Sequence, residues 1–332
     1  MSEVWVSYFL FFAKVGTVVL GILFVAIGLA IIAKKKRSPP GTIELKNLGD
    51  HFQKIKQGLQ LEVFSKEELK EVSKEAKEKI KKEKKEVKPR LYVLNFDGDI
   101  RAQAASSLRE EVTALLSVAK EGDEVFVKLE SPGGIVPGYG LAASQLKRIR
   151  DRKISLTASV DKVAASGGYM MACQANKIVA APFAILGSIG VLAQIPNFNR
   201  LLKKNNIDFE QITGGEFKRT LTMFGENNEK GREKFQEEVN STHELFKKFV
   251  SEARPQVDIS KVATGEHWYG TQALDLQLID EIQTSDDYLI DRFETHDIYE
   301  LNFKEEAKGL GKKLSEKLGA KVKDIFFSRT IF

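Results

Sequence analysis

Two glycine-bearing turns follow predicted strands and offer backbone N–H groups to a substrate. The first is SPGG (131–134), after the apolar run EVFVKLE, and the second is AASGGY (164–169). Paired glycines let a backbone N–H approach a substrate closely. In the second turn Ser166 stands at the predicted start of a helix, where free N–H groups and the positive helix end favour a developing oxyanion. A serine at this position is also a common helix N-cap, so its type and place leave both roles open.

A serine nucleophile needs a base that takes its proton, and the sequence offers two kinds of candidate. Histidine is the usual base, yet residues 91–242 contain none, and His267 is the one histidine that the pattern offers as a candidate. A structural or surface role accounts for His267 equally well. A lysine replaces histidine where burial leaves it neutral. Lys218, in GGEFKRT, is one of many lysines, and nothing in its local sequence selects it.

Composition excludes several other kinds of site. The chain has 332 residues, of which 42% are hydrophobic and 29% charged, which suits a folded core of one large or two ordinary domains. A net charge of +5 is small for this length and argues against a nucleic-acid binder. A single cysteine, Cys173, excludes a disulfide framework, and the four histidines lack metal-ligand spacing. Neither phosphate-binding glycine motif, GxxxxGK[ST] nor GxGxxG, occurs in the sequence.

Apolar runs alternate with helical patterns and predict an α/β fold with a parallel-rich core of βα crossover units. Strands are predicted at 91–96, 124–130, 154–160 and 177–182, and helices at 106–119, 138–150, 166–175, 198–206 and 229–253. The apolar segment from Ile178 to Pro196 is a second candidate for a membrane span. It contains Pro182, Gly187 and Gly190, so a buried strand followed by a loop is the better interpretation.

An uncharged apolar run of nineteen residues, from Val15 to Ala33, predicts one N-terminal transmembrane helix. At about 1.5 Å per residue it reaches roughly 28 Å, close to the thickness of a bilayer core. A cleaved signal peptide is the alternative, but the run is long for one and lacks a basic cluster before it. The cluster KKKR (34–37) follows the run and, by the positive-inside rule, favours a cytoplasmic body.

Charge and periodicity divide the rest of the chain. Residues 65–90 hold eleven Lys or Arg and seven Glu, which suits a solvated spacer, with contact to lipid headgroups as the alternative. Residues 303–327 form a basic amphipathic pattern that packs on the body or a neighbouring subunit, or lies on a membrane. The predicted domains are a transmembrane anchor with its basic flank (1–37), a charged linker (38–88), a catalytic domain (89–292) and an amphipathic tail (293–332).

The stretch DKVAASGGYMMACQANKIVAAPFAILGSIGVLAQIPNFNRLLKKNNID (161–208) resembles the membrane-bound bacterial serine peptidases related to signal peptide peptidase A (protease IV). The resemblance continues through 214–238 and 263–282, and SPGG and the N-terminal apolar run fit it as well. It covers essentially the whole chain, and its motifs are specific in combination. It implies a Ser–Lys peptidase on a ClpP/crotonase-type fold.

The resemblance assigns each part of the reaction to a residue of this chain. Ser166 is the nucleophile, Lys218 is the general base, and Ser188 orients the lysine. The backbone N–H groups of Gly134 and Gly167 form the oxyanion hole. Neutral Lys218 takes the Ser166 proton, later donates it to the leaving amine, and water hydrolyses the acyl-enzyme. No metal, nucleotide or organic cofactor is needed.

The resemblance also implies partners and a location. The expected substrates are unstructured, apolar peptides such as residual signal peptides or misfolded membrane-protein segments. Proteins of this kind assemble into homo-oligomeric rings or domes beside the bilayer, with no nucleic-acid partner. The location is the bacterial inner membrane. The family suggests a periplasmic catalytic domain, whereas the KKKR flank suggests a cytoplasmic one, so the side stays open.

Two other functions compete with the peptidase interpretation. The crotonase fold also uses glycine-turn oxyanion holes for acyl-CoA chemistry, although no carboxylate in this chain has a distinctive place for it. A non-catalytic membrane scaffold would require Ser166 and Lys218 to be dispensable. Turnover of acyl-CoA, or function retained after Ser166→Ala, would distinguish these alternatives from a peptidase.

Overall fold

The structure of the protein is a computed structural model. It describes residues 41–83 and 88–304, together with residues 5, 8, 10, 14–17 and 19. The chain divides into two compact units, residues 43–303 and the two ends, 1–42 with 304–332. Within the described residues no helix is long and apolar enough to span a membrane. Most of the predicted transmembrane run, the KKKR cluster and nearly all of the amphipathic tail lie outside the described residues.

Strands and helices alternate along the described chain. The strands are β1 (Thr42–Asn47), β2 (Arg90–Asp97), β3 (Glu124–Glu130), β4 (Ser155–Val160), β5 (Val163–Ala165), β6 (Lys177–Ala180), β7 (Ile185–Gly187), β8 (His267–Tyr269), β9 (Glu281–Ile282) and β10 (Asp297–Lys304). The helices are α1 (Leu48–Val63), α2 (Lys66–Glu83), α3 (Ala105–Val118), α4 (Val136–Asp151), α5 (Gly167–Ala172), α6 (Asn199–Lys204), α7 (Glu229–Ala253), α8 (Ile259–Val262), α9 (Gly270–Asp275) and α10 (Ser285–Phe293).

A seven-stranded sheet with the order β1-β10-β2-β3-β4-β6-β9 forms the centre of the fold. From β10 to β9 every neighbouring pair is parallel. Parallel neighbours need long crossovers, and α3 and α4 supply them between β2, β3 and β4. A second sheet, β5-β7-β8, has one parallel and one antiparallel pair. The predicted parallel-rich α/β core is therefore confirmed.

Both faces of the main sheet are covered, which explains why its central strands are almost continuously apolar. Along β2, alternate residues point to opposite faces. Leu94 and Phe96 join the core cluster that contains Leu108 of α3, and Val93 joins a second cluster with Tyr288 of α10. The sheet is thus held between helices, and its strand ends form a fixed platform for the loops that follow them.

Strand register brings the two glycine-bearing turns together. Asp97 at the end of β2 pairs with Glu130 at the end of β3, so the loops that follow both strands begin side by side. Ser131 then pairs with β5, because its N–H donates to the Val163 carbonyl at 2.8 Å and its carbonyl accepts from the Ala165 N–H at 3.0 Å. The SPGG turn therefore lies directly against the chain that leads into Ser166.

Two strands of the main sheet come from segments that the sequence analysis assigned to the linker and the tail. β1 lies within 38–88 and β10 within 293–332, and the two are neighbours at one edge of the sheet. β1 has the pattern TIELKN and is almost wholly exposed, so its composition resembles a linker. The segment 178–196 contains β6 and β7, in agreement with the strand-and-loop prediction.

An ion pair between a buried arginine and a partly exposed aspartate connects the end of α7 to the edge of the sheet at β9. The Arg254 guanidinium donates to both carboxylate oxygens of Asp280 at 2.8 and 2.9 Å, and the arginine side chain is only 3% exposed. The Asp280 carboxylate also accepts from the Ile178 N–H on β6 at 2.7 Å. This contact fixes the position of α7 relative to β6 and β9.

We expect Arg254→Met to lower the free energy of unfolding by about 1–2 kcal/mol, because the partly exposed Asp280 carboxylate would lose two charge-assisted hydrogen bonds and the Gln277 carbonyl would lose a third. Denaturant unfolding followed by circular dichroism measures the difference. Lys248→Met is the control, since it removes an exposed pair with Glu252 at 3.8 Å and should cost less than about 0.5 kcal/mol. Equal losses of stability from the two substitutions would contradict the structural role of the Arg254–Asp280 pair.

Candidate active site

Ser166 lies between β5 and α5 in a conformation that side-chain-bearing residues rarely adopt. Its φ is 51° and its ψ is −115°. Its N–H donates to the Gly187 carbonyl at 2.8 Å, and its own carbonyl accepts from the Met170 N–H at 2.9 Å. Such strain costs roughly 1–3 kcal/mol and persists where the surroundings enforce it, often at functional sites. The hydroxyl does not cap α5, so the N-cap role that the sequence left open does not account for this serine.

The SPGG turn approaches Ser166 so closely that only glycine fits at its centre. Gly133 has a φ of +90°, and a Cβ added there would lie 2.7 Å from both the Ala165 carbonyl oxygen and the Ser166 Cβ. The Gly133 N–H donates to the Ser131 hydroxyl at 3.1 Å. The next residue in the turn, Gly134, lines the same cavity as Ser166.

The two backbone amides predicted for the oxyanion hole border the same cavity as Ser166. Gly134 and Gly167 both line it. Within the described residues, no carbonyl or side chain accepts a hydrogen bond from either N–H. Two backbone N–H groups without acceptors, next to a serine, are the kind of donors that can stabilise an oxyanion in acyl transfer. Ser166, Gly134 and Gly167 are thus brought together as predicted.

Apolar side chains form the wall of this cavity, whose volume is about 170 Å³. Its apolar lining comes from α4, α5, the loop after β7, and α7: Val136, Met170, Val191, Leu245, Phe246 and Phe249. The sequence predicted the helix at 229–253 but not which of its faces would reach the serine. Only the tertiary packing of α7 identifies these wall residues. The cavity suits an apolar side chain of a bound peptide.

Lys218 does not line the cavity that contains Ser166. It is exposed and lines a different cavity of about 770 Å³, together with Arg219 and other residues of the segment 194–224. Within the described part of the chain, no hydrogen bond joins it to Ser166. An exposed lysine keeps its water shell, whereas a lysine that acts as a base must be desolvated. The structure therefore does not bring the predicted base to the predicted nucleophile.

Ser188 directly follows Gly187, whose carbonyl accepts from the Ser166 N–H, but its hydroxyl bonds to neither member of the predicted dyad. It follows β7 with a φ of 50°, and its hydroxyl donates to the Gly265 carbonyl at 3.4 Å. His267, the other candidate base, is exposed on β8. Among the described residues that line the Ser166 cavity, none is a lysine or a histidine. The described part of the chain thus places Ser166, Gly134 and Gly167 at one cavity, and neither candidate base lines it.

Other reactive chemistry has little support near the site. Burial raises the pKa of the Cys173 thiol to about 12, so this residue of the same region stays protonated and is a poor nucleophile. In the portion of the chain that the structure describes, no group of three or more His, Cys, Asp or Glu residues could hold a metal ion. Ser166 is the best-placed nucleophile of the cavity.

We expect Gly167→Ala to lower the free energy of unfolding by about 1–3 kcal/mol and to lower the melting temperature with it. The reason is that the added methyl group would collide with the Tyr139 ring. Differential scanning fluorimetry together with denaturant unfolding measures both. Gly58→Ala in the middle of α1 is the matched control. No atom lies within 4 Å of its new methyl group, so this variant should be unchanged or more stable. A Gly167→Ala variant as stable as the control would contradict the tight packing.

Known proteins resemble this chain along nearly its whole length. The family profile described as "Peptidase family S49 N-terminal" matches residues 3–146, and the profile described as "Peptidase family S49" matches residues 148–297. A protein from Haemophilus influenzae named "Probable protease SohB" is 48% identical, over 98% of this chain and 94% of its own length. A protein of the same name from Buchnera aphidicola subsp. Schlechtendalia chinensis is 49% identical, over 86% of this chain and 98% of its own length.

One solved structure that aligns with the chain is a mutant of 1510-N, a membrane-bound stomatin-specific protease, in complex with a substrate peptide. The TM-score is 0.44 and the sequence identity is 13%, and the alignment covers 71% of this chain and 100% of that chain.

Proposed function

Because the chain belongs to peptidase family S49, we propose that it is a serine peptidase in which Ser166 attacks the peptide carbonyl. One observation carries this proposal. Ser166 lies in a strained turn at the rim of an apolar cavity, beside two backbone amides that have no acceptor among the described residues. Attack by the hydroxyl would form an ester to the peptide and place the carbonyl oxygen near the Gly134 and Gly167 amides.

We propose Lys218 as the base, and its position sets a condition on this role. Since Lys218 lines a separate cavity, it reaches Ser166 only if the segment 194–224 rearranges or if a second copy of the chain supplies its own lysine. In either state neutral Lys218 takes the serine proton during attack. It then donates this proton to the leaving amine, and a water molecule releases the acyl group. Ser188 would orient the lysine in the assembled state.

The proposed substrates are unfolded polypeptides rich in apolar residues. The wall of the Ser166 cavity is formed by aliphatic and aromatic side chains, which favour an apolar residue next to the scissile bond. A strained, narrow site of this size accepts an extended chain more readily than a folded protein surface. Residual signal peptides and misfolded segments of membrane proteins belong to this class.

We further propose that the protein is anchored in the bacterial inner membrane as a homo-oligomer. The run from Val15 to Ala33 is long enough to cross a bilayer core. Large apolar side chains are exposed on the segment that carries Lys218, with Leu201 at 56% and Ile212 at 95% exposure. Exposed apolar patches of this kind mark surfaces that bind other proteins or membranes. A ring or dome of several copies would cover them.

Hydrolysis of unfolded casein by the detergent-solubilised full chain tests the proposed activity. A fluorophosphonate probe, which reacts with activated serines, is applied in parallel, and the labelled peptide is identified by mass spectrometry. We expect casein cleavage and a label on Ser166. A protein that cleaves no unfolded substrate and takes up no probe, with its assembly intact by size-exclusion chromatography, would overturn the proposal.

A further inference from the structure

We propose that Tyr139 is a positioning residue whose hydroxyl holds the SPGG turn in the geometry that aims the Gly134 amide at the reacting carbonyl. The inference rests on the proposed function, and it concerns a residue of α4 that the sequence analysis did not select. Tyr139 is fully buried, borders the Ser166 cavity with its ring and reaches the loop after β2 with its hydroxyl.

A directed chain of hydrogen bonds links the turn to the neighbouring loop through this tyrosine. The Gly133 N–H donates to the Ser131 hydroxyl at 3.1 Å, and the Ser131 and Tyr139 hydroxyls lie 2.5 Å apart. The Tyr139 hydroxyl donates to the Asp99 carbonyl at 2.8 Å, so its remaining capacity is to accept from Ser131. Ser131 and Tyr139 are both fully buried. The Gly98 carbonyl, 3.4 Å from the Ser131 hydroxyl, is a longer alternative acceptor. The shorter contacts through Tyr139 to Asp99 favour one arrangement of the turn.

The ring of Tyr139 contacts the other proposed oxyanion donor. A Cβ added at Gly167 would collide with the ring, so the ring packs directly against the backbone of that residue. The same side chain thus touches Gly167 with its face and anchors the Gly133-Gly134 turn with its hydroxyl. Burial raises the pKa of Tyr139, which keeps the hydroxyl protonated and able to donate. Just after the turn, the Ile135 N–H donates a hydrogen bond to the Ile100 carbonyl at 2.8 Å, which also connects the SPGG turn to the loop after β2.

Positioning matters here because an oxyanion donor works only when its direction is set before the reaction. The Gly134 N–H has no acceptor among the described residues, so no hydrogen bond of its own holds it in place. Its direction depends on the peptide units on either side, and the Ser131–Tyr139 link fixes the unit that precedes it. Loss of this link should weaken binding of the tetrahedral state and leave ground-state binding of the peptide nearly unchanged.

Tyr139→Phe in the full-length, detergent-solubilised protein tests this. The variant keeps the ring against Gly167 and removes only the hydroxyl. We expect kcat to fall about tenfold with KM changed less than about twofold, since complete removal of an oxyanion donor costs about 10²–10³-fold. A peptide aldehyde, which forms a tetrahedral adduct with the serine, should bind about tenfold more weakly. The corresponding peptide alcohol, which forms no adduct, should bind equally well to both proteins.

Hydrogen exchange of the peptides that cover 131–135 provides a readout independent of activity, and exchange should be faster in Tyr139→Phe. Tyr288→Phe is the matched control. It also removes the hydroxyl of a buried tyrosine, but this tyrosine lies on α10, and its hydroxyl forms a hydrogen bond with that of Thr157 at 3.2 Å. It should leave kcat, aldehyde affinity and exchange at 131–135 unchanged. Ser131→Ala removes the same link from its other end and should reproduce the Tyr139→Phe result, which keeps the test valid if one variant folds poorly.

The possible outcomes separate the inference from the proposed function. Equal loss of aldehyde and alcohol affinity, or unchanged exchange at 131–135, would overturn the positioning role while wild-type hydrolysis kept the peptidase proposal in place. A wild-type protein that neither cleaves peptides nor binds the aldehyde would overturn the proposed function, and the inference with it. Selective loss of aldehyde affinity with faster exchange would support Tyr139 as the residue that sets the oxyanion hole.

Discussion

Ser166→Ala should lower the rate of peptide hydrolysis by about 10⁴-fold or more, because no acyl-enzyme forms without the hydroxyl. The same change should leave the fold intact. Within the described residues the Ser166 side chain has no hydrogen-bond partner, and its backbone contacts to Gly187 and Met170 do not involve the hydroxyl. We therefore expect an inactive protein whose free energy of unfolding lies within about 0.5 kcal/mol of wild type.

Casein hydrolysis, fluorophosphonate labelling and thermal unfolding of the same preparations measure these effects. Ser117→Ala at the exposed end of α3 is the control, since it removes a hydroxyl that bonds only to the Ala114 carbonyl at 2.6 Å. It should keep the wild-type rate within about twofold. A Ser166→Ala protein that retains a tenth or more of the wild-type rate would show that another group is the nucleophile. Loss of stability without loss of specific activity would assign Ser166 a structural role.

Local patterns predicted the longer strands and helices of the core, but not β5, the short strand that leads into Ser166. The runs at 91–96 and 124–130 are apolar because β2 and β3 are covered on both faces, so their composition reflects their position in the sheet. The turns at 131–134 and 164–169 were identifiable because strand ends and paired glycines are local signals. The family resemblance is confirmed by the two peptidase family S49 profiles and by relatives named probable protease SohB at 48% and 49% identity.

Features that depend on contacts between distant residues could not be read from the sequence. β1 forms hydrogen bonds with β10 across more than two hundred residues, and its exposed, charged pattern is that of a linker as much as of an edge strand. Phe246 and Phe249 become cavity wall only because Arg254 and Asp280 fix the end of α7. The separation of Lys218 from Ser166 is of the same kind, because neither the residue types nor a spacing of fifty-two positions defines a distance in space.

Lys218→Ala should lower the hydrolysis rate by about 10³-fold or more, because Ser166 would lose the group that takes its proton. Lys218→Arg should be equally inactive, since a guanidinium stays protonated at any working pH. The control is Lys204→Ala, another exposed lysine, at the end of α6, which should keep the wild-type rate within about twofold. Casein hydrolysis at several pH values measures all four proteins. A Lys218→Ala variant of near-normal activity would remove this lysine from the mechanism.

Mixing the two inactive variants reveals which copy of the chain supplies the lysine. If Lys218 serves the Ser166 of its own chain, co-expressed Ser166→Ala and Lys218→Ala proteins contain no complete site and stay inactive. If it serves a neighbouring copy, random pairing makes about a quarter of the sites complete, and activity returns to roughly that fraction of wild type. The separate cavities of Lys218 and Ser166, and the exposed Leu201 and Ile212 on the segment that carries the lysine, favour recovery of activity. Active Lys218→Ala protein alone would exclude both arrangements, whereas an inactive mixture with intact mixed assemblies would assign the lysine to a rearrangement within one chain.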